Sequence, residues 1–432
     1  MKNEPTTSFR EAMRVFARIG CLSFGGPAGQ IALMHRELVE QRPWLSEQDY
    51  LRALNFCMLL PGPEAMQLAT YAGWRLHGVK GGLMAGLLFV LPGAAIVLAI
   101  SVLYSLYGRL PLIEATFFGI KAAVLAIVLE ALLRVSKRAL KLPAHWVIAA
   151  LAFLALFVFA VPFPAVIGLA GLAGWMMTTT ATSPDTSPAP APVSTARTLA
   201  TIALWLVIWF APIAIVSALT WPDHLLVKVG LFFSKLAVVT FGGAYAVLAY
   251  MAQQAVETHN WLTPEQMIDG LGLAETTPGP LILVTEFVGY MAGFRSAGLL
   301  GSVPMGLAAA AMALWVTFAP CFLWIFAGAP YVERLASMPR LSGALAAITA
   351  AVVGVIANLA LWFSLHVLFA GVDRLEWGPV SMTWPDWASI SWPAAGLFAL
   401  SALMLLKFHA GLARTLGACA LIGLLLGIAG LV

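Results

Sequence analysis

Ser23-Phe24-Gly25-Gly26-Pro27 and, further on, Pro61-Gly62-Pro63 decide how this chain folds. An offset of 217 residues carries Phe24-Gly25-Gly26 onto Phe241-Gly242-Gly243 and Pro61-Gly62-Pro63 onto Pro278-Gly279-Pro280. The same offset, with no gap, brings Met34 to Met251, Glu40 to Glu257 and Trp44-Leu45 to Trp261-Leu262. From Phe24 to Pro63, 13 of 40 positions are identical. Chance alone gives only a few in so apolar a chain, and the coincidence marks an internal repeat.

The residues around these motifs are those of a membrane protein. Of 432 residues, 61% are hydrophobic and 10% charged, whereas soluble domains run nearer a half and a quarter. Mean hydropathy is +0.90. A soluble enzyme, a disordered chain and a nucleic-acid binder are excluded, and the bilayer is the first partner implied. A β-barrel is disfavoured, because barrel strands alternate polar and apolar residues in segments of about 10. The net charge of +4 says little about an acidic partner. Cys21, Cys57, Cys321 and Cys419 lie far apart without a Cys-x-x-Cys pair, so they read as small core residues. The seven histidines are scattered, with no metal-ligand spacing, and no cofactor or metal is implied. The N-terminal ten residues are polar and lack a signal peptide's apolar core, so the chain is expected to stay in the membrane that receives it.

Hydropathy and breakers predict six segments in the first half: 11–38 (A), 50–76 (B), 79–107 (C), 112–136 (D), 144–160 (E) and 162–178 (F). A further span, 199–219 (G), leads into 226–256 (A′), 265–293 (B′), 297–328 (C′), 341–369 (D′), 392–408 (E′) and 411–431 (F′). The expected organisation is a first repeat over 1–178, a linker rich in Pro, Ser and Thr over 179–198, and a second repeat with one extra leading span over 199–432. The fold class is all-α and polytopic, with about 13 transmembrane or re-entrant helices. Six spans plus G separate A from A′. That number is odd, so the halves should be an inverted repeat, an architecture common in secondary transporters with the site where the repeats meet. If A and B re-enter in one half only, the parity argument fails. Lys and Arg outside the span centres split 15 to 7 in favour of an inner N-terminus. Trp377, Trp384, Trp387 and Trp392 predict a loop anchored by aromatics at the membrane surface.

The paired motifs should break helices A/B and A′/B′. Adjacent glycines cost about 1 kcal/mol each relative to alanine in a helix, and Pro27 removes a backbone donor. In Pro61-Gly62-Pro63 and Thr276-Thr277-Pro278-Gly279-Pro280, one half-helix can end and another begin. Broken backbone at membrane depth is tolerated only where it is buried in protein or lines a watery cavity. Half-helix N-termini attract anions. The hydroxyls of Ser23, Thr240, Thr276 and Thr277 are expected to add neutral donors suited to an oxyanion. Gln30, seven residues past Ser23, is expected on the same helical face.

Charges inside the spans are few. Arg18 and Lys235 are related by the same offset, each six residues before its Phe-Gly-Gly, and are candidate anion attractors. Lys121 is near the middle of D, where a cation costs at least about 2.5 kcal/mol unless paired or hydrated. Glu64, Glu275 and Glu286 flank the Pro-Gly-Pro breaks and are proton-coupling candidates, although each can instead pair with Arg75, Lys121 or Arg295. Glu275 and Glu286 would share a face in an unbroken helix. All six aspartates are read as lying outside the span centres. With no Asp-x-x-Asp and no tight His pair, a membrane enzyme acting on lipid phosphate is disfavoured.

These motifs resemble the chromate ion transporter family in its long, two-domain form. The resemblance rests on Ser23-Phe24-Gly25-Gly26-Pro27 with Gln30, Trp44-Leu45-Ser46, Leu60-Pro61-Gly62-Pro63 with Gln67, Thr240-Phe241-Gly242-Gly243, Trp261-Leu262-Thr263-Pro264-Glu265 and Thr277-Pro278-Gly279-Pro280. It implies a bacterial inner-membrane protein that exports chromate, driven by ion gradients, and so confers chromate resistance. A sulfate or other oxyanion transporter, or an anion channel, is the alternative. Chromate and sulfate share shape and charge, and homodimerisation is left open. Two departures stand out. The family's second signature often continues with a third glycine and a histidine, where this chain has Ala244 and Tyr245. The C′ region also carries extra residues before Pro320 relative to Pro92.

Overall fold

Local signals set many of the helix ends. Ser8 Oγ accepts the Glu11 N–H at 3.2 Å, Ser46 Oγ the Asp49 N–H at 3.1 Å and Ser302 Oγ the Met305 N–H at 3.3 Å, each a side chain satisfying an orphan donor of a first turn. The computed structural model describes residues 7–24, 26–178, 194–241, 244–296, 302–332, 338–378 and 380–432. Its helices in chain order are α1 (Phe9–Leu22), α2 (Gly26–His35), α3 (Glu47–Leu59), α4 (Glu64–Tyr107), α5 (Pro111–Ala139), α6 (Pro143–Phe157), α7 (Phe163–Met177) and α8 (Thr195–Leu219). They continue with α9 (Leu225–Val239), α10 (Ala244–Gln253), α11 (Pro264–Thr276), α12 (Val284–Arg295), α13 (Val303–Gly328), α14 (Pro339–Leu368), α15 (Trp392–Ala402) and α16 (Leu412–Ile428).

Five helical stretches among the described residues are long and apolar enough to cross a membrane: Glu64–Tyr107, Pro111–Ala139, Thr195–Leu219, Val303–Tyr331 and Pro339–Leu368. The 44 residues of α4 contain two non-helical residues, His77 (φ −138°) and Gly78 (φ +62°). This is the expected boundary between B and C. Without it α4 would run about 66 Å, twice a hydrocarbon core of about 30 Å.

Two points depart from expectation. Span G begins at Thr195, where Ser194 Oγ caps α8 by accepting the Arg197 N–H. The last residues assigned to the linker are therefore helical; its core, 179–193, lies outside the described residues. The fold is all-α apart from one short hairpin that the span reading did not foresee. Strands β1 (Val372–Trp377) and β2 (Val380–Pro385) pair antiparallel, Val372 opposite Pro385 and Trp377 opposite Val380. Gly378, at φ +59°, occupies the turn with a backbone that favours glycine. Three of the expected surface tryptophans are strongly exposed: Trp377 at 86%, Trp387 at 65% and Trp392 at 73%.

The chain folds as two compact units, each drawing on both halves of the sequence. The first comprises Met1–Ala99, Thr178–Ala244 and Thr277–Ser342. Helix α13 is its centre, with α8, α9 and α12 packed against it. Gly289 and Gly293 of α12 allow close approach, since a Cβ there would come within 2.7 Å of Ala313 Cβ and 2.4 Å of Met305 O. This is small-residue packing at a spacing of four, as membrane helices use. Of α13's apolar window 78% is buried, against 17% of α8's. Helix α8 thus keeps most of its apolar surface outward.

The second unit comprises Ile100–Met177, Tyr245–Thr276 and Gly343–Val432. Here α5 is central. Helix α16 approaches it where a Cβ on Gly119 would lie 1.9 Å from Cys419 O. Ser401 Oγ of α15 donates to Ala122 O at 3.3 Å. Helix α11 docks through Gly272, where a Cβ would lie 2.6 Å from Ile120 Cγ2 and 3.1 Å from Val124 Cγ2.

Candidate functional site

In the first unit, the two expected breaks are held by each other. Helix α1 stops at Leu22 and α9 at Val239, and Ser23 and Thr240 carry the chain out of helical geometry. The Gly279 N–H donates to Ser23 O at 2.8 Å, and the Gly62 N–H donates to Thr240 O at 2.8 Å. The 217 offset relates the two bonds residue for residue. Each Pro-Gly-Pro therefore supplies a donor to the carbonyl that the opposite break has freed, which backbone in hydrocarbon requires. Gly62 (φ +115°) and Gly279 (φ +98°) adopt a backbone that other L-residues avoid.

Two buried glutamines brace this crossing. Gln30 Nε2 donates to Gly279 O at 2.6 Å and to Ser23 O at 3.4 Å. Gln30 thus reaches Ser23 through the backbone carbonyl, across the break between α1 and α2. Gln67 Nε2 donates to Pro61 O at 2.6 Å. Under the offset both glutamines fall on valines, Val247 and Val284, so the frame repeats while its polar lining does not. Gly93 closes the crossing from behind, where a Cβ would lie 2.2 Å from Pro278 O.

The hydroxyls act differently from expectation. Ser23 Oγ donates to Ile19 O and Thr240 Oγ1 to Leu236 O, both at 2.6 Å, and Thr276 Oγ1 donates to Leu273 O at 2.8 Å. A Ser or Thr at a helix end readily returns its proton to a carbonyl one turn back. In this structure these three do not offer that proton to an anion. Thr277 is buried. Phe24 is half-exposed, Gly26 starts α2 at φ +70°, and Pro27 follows it in that helix. Gly25, Gly242 and Gly243 lie outside the described residues. Phe241 is partly buried at the end of its break.

The charged candidates separate. Arg18 Nη1 is 3.8 Å from Glu37 Oε1, and Arg42 Nη1 is 2.5 Å from Glu37 Oε2. Glu37, 1% exposed, escaped the sequence reading because its partners converge only when the chain after α2 turns back. Lys235 is exposed on α9, and Glu64 is in the first turn of α4. Glu286 is 2% exposed on α12, and its Oε2 has no hydrogen-bond partner among the described residues. Glu275 and Glu286 do not share a helix. Backbone from Thr277 to Pro280 and a 3₁₀ turn at Leu281–Leu283 intervene, because two prolines cannot continue a helical ladder.

In the second unit α11 carries two tyrosine-bound carboxylates. Tyr245 OH donates to Glu275 Oε1 at 2.5 Å. Tyr104 OH donates to Asp269 Oδ2 at 2.7 Å, and Lys121 Nζ is 3.7 Å from Asp269 Oδ1. Asp269, read along the chain only as lying outside the span centres, was not singled out there as a candidate. It is 4% exposed in the middle of α11. Its sequence signal was weak because its neighbours Met267, Ile268, Gly270 and Leu271 alone do not mark a span centre. Lys121 is therefore paired. The described residues hold no cluster of His, Cys, Asp and Glu able to bind a metal ion.

The family model described as "Chromate transporter" matches residues 10–175 and 227–429. A "Chromate transport protein" of Pseudomonas aeruginosa is 32% identical over 356 residues, covering 82% of this chain and 80% of that protein. One from Cupriavidus metallidurans is 30% identical over 353 residues, 82% of each chain. An uncharacterized transporter of Methanocaldococcus jannaschii is 25% identical over 82% of this chain and 83% of its own. No solved structure matches.

Proposed function

The chain belongs to the chromate transporter family, and from that premise we propose that it carries chromate, a tetrahedral oxyanion, across the bacterial inner membrane. The observation that carries the site assignment is the reciprocal bonding of Ser23 with Gly279 and of Thr240 with Gly62. It supports reading 1–178 and 199–432 as two homologous halves, an inverted repeat whose broken helices meet. With the hydroxyls turned inward, the anion-binding candidates are Phe24, Gly25, Gly26, Pro27 and Gln30 in the first half and Phe241, Gly242 and Gly243 in the second, because half-helix N-termini attract anions. Pro61-Gly62-Pro63, Thr276, Thr277 and Pro278-Gly279-Pro280 are further binding candidates, and Arg18, Lys121 and Lys235 are the candidate attractors of the anion. Glu64, Glu275 and Glu286 are the carboxylates for coupling to protons or another ion.

Export suits the electrical gradient. An inside-negative potential drives each elementary negative charge outward by about 2.3 kcal/mol per 100 mV. Resistance to chromate follows from export. The competing reading is a sulfate carrier or an anion channel. Chromate flux into sealed vesicles containing the purified protein, under an imposed pH gradient with sulfate as competitor, separates a coupled oxyanion carrier from a channel. Gradient-driven flux blocked by sulfate is expected. Flux down its own gradient, indifferent to pH, makes the protein a channel or uniporter. Absence of flux for both anions rejects the assignment.

A further inference from the structure

Resting on the reading of the chain as an oxyanion carrier, we propose that Lys121, Asp269 and Tyr104 form a charge switch in which an oxyanion binding at Lys121 displaces Asp269 and so makes Asp269 take up a proton. Three observations carry it. Asp269 is 4% exposed in the middle of α11. Its Oδ2 is held by Tyr104 OH at 2.7 Å. Its Oδ1 makes no hydrogen bond among the described residues and is 3.7 Å from Lys121 Nζ.

That geometry differs from a structural ion pair, which survives burial when both partners are fully hydrogen-bonded. Here one carboxylate oxygen has only Lys121 as its partner, at a long 3.7 Å. Lys121, at 18% side-chain exposure, is the less buried of the two partners. An oxyanion bringing three or four acceptor oxygens to the Lys121 ammonium gives it real hydrogen bonds. Asp269 then loses its counter-ion inside an apolar setting, which a buried carboxylate resolves by protonation. The step forms one O–H bond at Oδ1 with a proton drawn from water, and no electrons move. Tyr104 stays on Oδ2 in both states.

The other titratable groups around the pair are Glu114 on α5 and Glu265 on α11, both on the acidic side of the balance. On α16, the third helix against α11, Arg414 is exposed and Cys419 packs on Gly119 of α5. None of these replaces Lys121 as the direct counter-ion. The prediction is therefore specific to it: oxyanion and proton bind together at this point.

Chromate binding to the full-length protein in detergent, measured against pH, tests the linkage. The wild type is expected to lose affinity by about tenfold per pH unit across the range where Asp269 titrates. Asp269→Asn is expected to bind without that slope. Chromate's own protonation is common to both and cancels in the comparison. Infrared difference spectra of the protonated-carboxyl band supply a readout free of ligand. Lys121→Met should shift the Asp269 band to higher pH, and chromate should do the same to the wild type. The doubly neutral Lys121→Met/Asp269→Asn variant removes both charges together, so it keeps the fold while lacking the band. Equal pH slopes in wild type and Asp269→Asn, or an Asp269 band indifferent to Lys121, overturn the switch and leave chromate transport standing. Failure of the wild type to bind chromate at any pH overturns the transport reading and the switch with it.

Discussion

The Gly279 N–H donates to the Ser23 carbonyl at 2.8 Å, and the carbonyl of the same Gly279 accepts from Gln30 Nε2 at 2.6 Å. One residue at the middle of a Pro-Gly-Pro thus has both its backbone N–H and its carbonyl satisfied by the N-terminal region. Its counterpart, Gly62, donates to Thr240 at the same distance. Neither broken helix can relax without exposing the other's freed backbone, and this mutual dependence sets the expectations below.

Gly62→Ala and Gly279→Ala should each lower stability by about 1–3 kcal/mol, because both residues hold φ values that strain any other side chain. The added methyl of Gly62→Ala would also lie 2.9 Å from Gln67 Nε2 and 3.2 Å from Cys321 Sγ. Thermal unfolding in detergent measures the loss. Gly168→Ala, a position with open space around it, is the control, and equal midpoints in all three would refute the argument.

Gln30→Leu and Gln67→Leu should each cost about 1–3 kcal/mol, since each strands a carbonyl oxygen of a Pro-Gly-Pro. Gln30→Leu should weaken substrate binding more, because it alone braces both sides of a crossing. Parallel measurement of midpoint and chromate affinity separates the two effects. A larger affinity loss in Gln67→Leu would contradict this ranking.

Glu37→Ala should destabilise by about 1–3 kcal/mol, by removing the charged hydrogen bond to Arg42. Arg18→Ala should cost no more than about 1 kcal/mol, because Arg18 is 56% exposed and 3.8 Å from the carboxylate. Denaturant titration of both variants tests the asymmetry; comparable losses would mean that Arg18 is as deeply engaged as Arg42.

Trp377, Trp387 and Trp392 should respond to quenchers at the headgroup level and not to quenchers deep in the acyl chains, as expected of an aromatic-anchored surface hairpin. Single-tryptophan reinsertion into a background lacking the three provides the measurement. Deep quenching of Trp377 would place β1 and β2 inside the bilayer.

Much of the architecture was legible along the chain because helix limits are local. The expected edges of E, F and F′ match α6, α7 and α16 to within a few residues, as proline, glycine and hydropathy dictate. The break between B and C was legible at His77-Gly78 for the same reason. The breaks at Ser23 and Thr240 were legible only in their backbone. Ser23 and Thr240 were found, but not the direction of their hydroxyls, which depends on a carbonyl one turn back lying within reach. Asp269 was missed because its partners, Tyr104 and Lys121, come from α4 and α5, far away in sequence.

The sequence by itself determined that this is a polytopic helical membrane protein with paired breaks at a 217-residue offset, because hydropathy and the backbone limits of glycine and proline act residue by residue. Only the tertiary structure decided that each Pro-Gly-Pro would bind the carbonyl of the opposite break, that Glu37 would gather Arg42 and Arg18, and that Lys121 would face Asp269. Those pairings form because a low-dielectric interior penalises every unsatisfied donor, acceptor and charge. Which distant group satisfies it depends on where the packed helices bring it.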